Sequence, residues 1–302
     1  MSAITSQNKS LFAPERGVLQ ARRRITDLVA VLLTGAFAIA AIVFLLYFVF
    51  YVARLGLQYI NIGFFTLEPP VGGATKGGIV TALEGSLVML TIASLIGIPL
   101  GMAVGIYLSE FGRGREAGVV RFLVDLLTGI PTIIFGLLIW VILVVPTHTY
   151  SGLAGGMALS IIMIPTVARA TEEILRLVPG SIREASVALG GTESRTILRV
   201  VVPAARSGIV TGILLALARV AGETAPLLLT SLGTNFFVPL DRLDIAHQPL
   251  DALPLRTFIF TLSPFPAQEQ QAYGTALVLL TLVIVTSLLV RLATGGFKSR
   301  GR

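Results

Sequence analysis

The chain has 302 residues and a formal charge of +7; 54% of its residues are hydrophobic and only 13% charged, for a mean hydropathy of +0.87. Soluble domains carry about 25% charged residues, so this composition excludes an ordinary water-soluble globule and points to a membrane protein. There is no cysteine, which removes disulfides, thiolate catalysis and iron–sulfur ligation.

In chain order, a polar tail over 1–27 carries five cations and ends in the triplet Arg22 to Arg24. The uncharged run Leu28 to Ala53 predicts a first helix over 28–53. It exceeds the ~20 residues needed to span hydrocarbon. It is also too long for a signal-peptide core and lacks a small-residue cleavage site, so it reads as an uncleaved anchor. The stretch "PPVGGATKGG" makes Gly56 to Glu84 a loop. A second helix follows over 85–110, with Gly97, Gly101 and Gly105 four residues apart. Such a stripe permits close helix packing in lipid.

The uncharged stretch from Leu126 to Ala168 is too long for one span, and "PTHTYSG" divides it into helices over 119–145 and 153–170. Asp125 lies four residues after Arg121, the spacing of a helical ion pair at the membrane edge. Glu172 and Glu173 fall where a helix exits and read as a solvated face. Residues 169–206 then form a charged segment with short amphipathic helices around Ile182, Ala185, Leu189 and Ile197. Pro179–Gly180 separates it from the preceding helix, and Gly190–Gly191 supplies a turn within it.

A fifth helix over 207–232 repeats the small-residue spacing at Gly208 and Gly212, and it contains two charges, Arg219 and Glu223. Arg219 is 13 residues after Arg206, so it sits ~20 Å along the helix axis. A charge at that depth costs at least ~2.5 kcal/mol and marks function by default. Glu223, one turn on, is expected on the same face, neutralising Arg219 until an anion displaces it. Thr224 adds a hydroxyl beside the pair. Gly233 to Glu269 reads as a second long loop, and a sixth helix spans 270–292. The fold class expected is therefore all-α, a polytopic protein of six transmembrane helices, with the membrane domain over 28–295 and a short tail over 296–302. A β-barrel would alternate apolar and polar residues, and these runs do not.

Of the 23 Lys and Arg residues, eighteen fall on the side of the two tails and of 169–206, against four on the other. The positive-inside rule therefore places both termini in the cytoplasm. The same asymmetry accounts for the basic charge without nucleic acid. The two histidines, His148 and His247, lie far apart in outside loops and read as solvated, not as metal ligands. The segment "GGATKGG" has its lysine and glycines in the wrong order for a phosphate-binding loop of an ATPase. No catalytic constellation is visible, so the chain is expected to be no enzyme and to need no cofactor.

The segment "EASVALG", Glu184 to Gly190, followed by Pro203, resembles the EAA loop of ABC-importer permeases, E-A-A-x-x-x-G followed by I-x-L-P. Glu184, Ala185, Gly190 and Pro203 match; Ser186 replaces an alanine, and Val200 and Val202 replace the isoleucine and leucine. A short helix projecting from a membrane suits docking in a partner's groove. "ARVAGETAP" (218–226), "GIPTIIFGL" (129–137), "RLVPGSIREAS" (176–186) and "PAARSGIVTG" (203–212) widen the resemblance, over about 75–295, to the A-type permeases of phosphate-uptake ABC transporters. That resemblance implies a type I importer architecture in a bacterial inner membrane. It also implies a second homologous permease, separate ATP-binding-cassette subunits docking on the EAA-like loop, and an extracytoplasmic phosphate-binding protein. Two readings stay open beside it: a permease for another oxyanion or solute, and a membrane sensor of solute status.

Overall fold

The structure, a computed structural model, describes residues 13–72, 74, 76–112, 114–237 and 244–295. The outermost parts of the two expected tails lie outside these residues, as do Arg113 and Arg242. All regular elements among the described residues are helices. The chain divides into two compact units, residues up to Arg54 and residues from Leu55 onward. The described part of the first unit belongs to one long helix, α1 (Ala13–Gly56), which begins well before the uncharged run. Its segment Arg23–Gly56 is apolar and long enough to cross a bilayer.

The second unit is built around three helices. The first, α2 (Val80–Ile106), runs on as a π-helical turn, Tyr107–Phe111. The second is α3 (Gly152–Arg176), and the third is α4 (Arg206–Val220). The glycine stripe does what its spacing implies. A Cβ at Gly97 would lie 2.9 Å from Met163 Cβ, one at Gly101 2.7 Å from Val167 Cβ, and one at Gly105 2.6 Å from the Ala168 carbonyl oxygen. Position along α2 rises with position along α3, so these two helices run parallel at close approach. The second, weaker stripe also packs: Gly208 meets Ile174 and Gly212 meets Ala170, which sets α4 antiparallel to α3. Met89, Ala93, Met163, Val167, Ala216 and Val220 form the buried core between them.

Two expected spans are broken. The third is α5 (Arg115–Gly129) followed by α6 (Thr132–Ile139), which continues to Thr147; the two parts meet at 98°. The residue before proline is pushed to extended backbone, and Ile130, before Pro131, has ψ 135°. The fifth ends early: α4 stops at Val220, Ala221 to Thr224 form a turn, and α7 (Ala225–Thr230) resumes with a proline in its first turn. Four helices are long and apolar enough to cross a membrane, or up to six if two bent pairs each count as one span: α5 with Thr132–Thr147, and Glu193–Ala204 with α4, which meet at 72°.

The loops expected over 56–84 and 233–269 are not wholly irregular. Each contains a helix, α8 (Ile62–Thr66) and α9 (Leu253–Thr261). Phe64, Leu253 and Phe260 from them join Ile79, Ala82 and Ala272 in a second core. The last helix, α10 (Pro266–Gly295), opens with a proline, a residue whose fixed φ suits a helical first turn. In the segment after α3, α11 (Gly180–Ala188) and α12 (Glu193–Thr196) are short helices; a π-helical turn, Ile197–Val201, leads from α12 toward Pro203.

Candidate functional site

A cavity of about 630 Å³ opens where α5, α3 and α4 converge. From α5 it takes Asp125, Thr128 and Gly129; from α3, Thr166, Arg169 and Glu173; from α4, Gly212, Leu215 and Arg219. Small residues make the space: Gly212 and Gly129 contribute no side chain, and Pro165 sits within α3 beside them.

The two guanidiniums of this cavity differ in their commitments. Arg169 bonds Asp125 at 2.8 Å and Glu172 at 3.3 Å, and lies 3.7 Å from Glu173. Arg219 is exposed, sits in the last turn of α4 and makes no ion pair among the described residues. A cation there is favoured by the helix C-terminus, yet its five donors face open space. The expected pair with Glu223 is not formed. Because α4 ends at Val220, Glu223 no longer stands one helical turn above Arg219. It lines a separate small recess with Ser86, Met89 and Pro254. Thr224 caps α7 by position without a side-chain capping bond.

Glu172 is not on a solvated face: it is fully buried and receives Arg121 at 2.9 Å, Arg176 at 2.6 Å and Arg169 at 3.3 Å. Three guanidiniums around one carboxylate offset the cost of burying it. Asp125 pairs with Arg169, not with Arg121. The bend after Gly129 and the arrival of α3 bring in partners from more than forty positions away, and these outcompete the local spacing. Glu173 is largely exposed, as expected.

The EAA-like segment has the form its spacing implies. Glu184 and Ala185 are exposed on α11, and Leu189, just past its end, is 90% exposed. Gly190 has φ +82°, a conformation that side chains rarely adopt. The turn is closed by Gly191 N–H donating to the Ser186 carbonyl and by Ser186 Oγ and Thr196 Oγ1 at 2.8 Å. Pro203 follows the π-helical turn on the return strand of the hairpin. One contact here had no sequence signal. Arg183 forks onto Glu110, in the π-helical end of α2, at 2.9 and 2.7 Å.

At the opposite end, Asp251 and Arg256 form a pair that is almost wholly buried, at 2.5 Å. Arg256 also donates to Asn235 Oδ1 and the Thr234 carbonyl and stacks 5.2 Å from the Phe260 ring. Thr81 Oγ1 donates to Asp251. Burial pushes the Asp251 carboxyl above its ordinary range, and Arg256 opposes that rise. His148 and His247 are both exposed, and His247 bonds Asp244 at 2.9 Å.

Residues 97–299 match the model of a family described as "binding-protein-dependent transport system inner membrane component". The chain is 37% identical over 292 residues to a phosphate transport system permease protein PstA of Yersinia pestis, covering 96% of this chain and 97% of that protein. It is 40% identical to the protein of that name from Pasteurella multocida, covering 78% and 83%. It is 36% identical to a probable phosphate transport system permease of Methanocaldococcus jannaschii, covering 90% and 94%. Its fold is similar to that of a chain in the inward-facing MetNI methionine ABC transporter. The TM-score is 0.57 at 20% identity, covering 72% of this chain and 94% of that one.

Proposed function

The chain belongs to the family of binding-protein-dependent inner-membrane transport components, and from that premise we propose that it is the membrane-spanning permease subunit of an ATP-driven importer of inorganic phosphate. The names of relatives matched over most of both chains support the substrate. The single observation that carries it chemically is Arg219, a guanidinium without an acidic partner among the described residues, at the wall of a large cavity. Guanidinium binds phosphate oxygens bidentately. Phosphate reaches Arg219 without having to displace Glu223. Glu223 and Thr224 lie in the turn beyond it and line the path on its far side, where the carboxylate prevents the anion from resting. The protein breaks no bond; it offers a path whose ends open alternately.

In this reading the ATPase is a separate subunit that docks on Glu184, Ala185, Ser186, Gly190 and Pro203. The exposed apolar side chains of Val187 and Leu189 fit an apolar partner groove. A second homologous permease completes the path, and a phosphate-binding protein delivers to the face opposite the arginine-rich segment. Both termini lie in the cytoplasm, following the charge asymmetry.

The test is uptake of labelled phosphate by the co-purified complex in vesicles loaded with ATP. Phosphate should accumulate, and excess sulfate should not compete. Accumulation of another solute with none of phosphate overturns the substrate. Docking has its own test: a cysteine at Ser186, in a chain without native cysteines, should cross-link to the ATPase. No cross-link in any nucleotide state, with control positions reacting, removes the docking assignment.

A further inference from the structure

We propose that Arg183 and Glu110 form the strut through which movement of the docking helix α11 reaches the walls of the phosphate cavity. The inference rests on the docking role assigned to α11 above. Arg183 uses every edge of its guanidinium. Nε donates to Glu110 Oε2 at 2.9 Å and Nη2 to Oε1 at 2.7 Å; Nη1 donates to the Val178 carbonyl at 2.6 Å and Nη2 to the Leu175 carbonyl at 3.0 Å. One side chain of α11 thus grips the end of α2 and the end of α3 together.

Little else holds α11 to the bundle. None of its residues is buried. Ile182 is its only partly buried apolar contact with the cluster of Leu175, Val178 and Val201. The Ser186 and Gly191 bonds tie α11 to the return arm of its own hairpin, not to α2. The Glu110 end, by contrast, is firm: its side chain is 6% exposed and also accepts from Ser109 Oγ at 2.9 Å. It stands in a π-helical turn, a distortion that is frequent at functional sites.

The grip matters because of what α2 and α3 are. Their glycine interface brings the two helices into close contact along three turns, and close-packed interiors transmit strain. Helix α3 carries Thr166, Arg169 and Glu173 on one wall of the cavity, and α4 carries Gly212, Leu215 and Arg219 on another. Because α4 is itself packed on α3 through Gly208 and Gly212, a pull on α11 moves the Arg169 and Arg219 walls together against the α5 wall of Thr128 and Gly129. Arg183 and Glu110 touch no substrate; they are positioning residues. A lysine at 183 keeps the charge but cannot reach Glu110 and both carbonyls with a planar fork.

The experiment uses the whole complex in vesicles, with Glu110→Gln and Arg183→Lys compared with the parent. ATPase retained on the tagged permease, the rate of ATP hydrolysis and labelled phosphate moved per ATP are measured on the same preparations. A charge-assisted hydrogen bond is worth enough to change an equilibrium by about tenfold or more, so phosphate per ATP should fall by about that factor while ATPase retention stays at the parent level. The proposal is overturned if phosphate per ATP stays at the parent value in both variants. It is equally overturned if uptake falls only in proportion to lost complex, or if both variants fail to assemble, since a purely structural staple behaves in those ways. Cross-linking from Ser186→Cys is scored separately. Its failure would remove the docking assignment, while the phosphate-to-ATP ratio would still judge the strut.

Discussion

Both ends of the helical core seal a carboxylate with arginine, Asp251 at one and Glu172 at the other, but they differ in the charge they leave beside open space. At one end Asp251 and Arg256 are sealed inside the protein, with Thr81, Thr234 and Asn235 satisfying them. Gly85 packs against the Asp251 backbone so closely that a Cβ there would overlap the carbonyl. At the other end Asp125, Arg169, Glu173 and Arg219 border open space. Asp251 and Arg256 neutralise each other, and loss of either would strand the other as an uncompensated buried charge. An exposed guanidinium at depth along an apolar helix has no such explanation. The contrast separates charge that holds the fold from charge that is available to a ligand.

Asp251→Ala has the largest expected effect. It strands Arg256 as a buried unpaired charge, at a cost of about 3–5 kcal/mol. The purified complex should melt markedly earlier in detergent or fail to assemble; a parent-like melting profile would mean that the sealed end is not structural. Glu223→Gln is a smaller perturbation. It removes a negative charge from the recess beyond Arg219 and leaves assembly intact. A like-charge interaction at close range in a wet site is worth about 1 kcal/mol, so uptake should change by about fivefold at equal complex. No change would take Glu223 out of the path. The smallest effect belongs to the solvated pair: His247→Ala removes an exposed ring whose bond to Asp244 holds that carboxyl below its ordinary range. Uptake and melting should both match the parent, and a large loss would mean that this loop does more than connect.

Much of this was legible in the residues, for identifiable reasons. Uncharged runs give spans because hydrocarbon imposes a length. Gly97, Gly101 and Gly105 give a helix contact because a missing Cβ has one geometric meaning at that spacing. Gly190 gives a turn because its φ is positive. What was illegible depended on distant partners. Glu172 looks solvated beside Glu173 until Arg121 arrives from 51 positions away. Arg183 and Glu110 are 73 positions apart, and no local pattern links them. The fifth span is an intermediate case. Gly222 and Pro226 announce a break, but the surrounding leucines make the segment look continuous. A continuous helix would carry Glu223 onto the face of Arg219, where the structure does not put it.

Vesicle uptake of labelled phosphate by Arg219→Gln and Arg219→Lys, normalised to assembled complex, measures the role of the open guanidinium. Loss of a charged hydrogen-bonding group costs about 1.5–3 kcal/mol. Arg219→Gln should therefore reduce uptake by at least about tenfold, and Arg219→Lys should recover only part of it because the bidentate fork is gone. Uptake by Arg219→Gln at the parent rate, with complex assembled in parent amounts, would contradict the account and leave the open guanidinium without a role in transport.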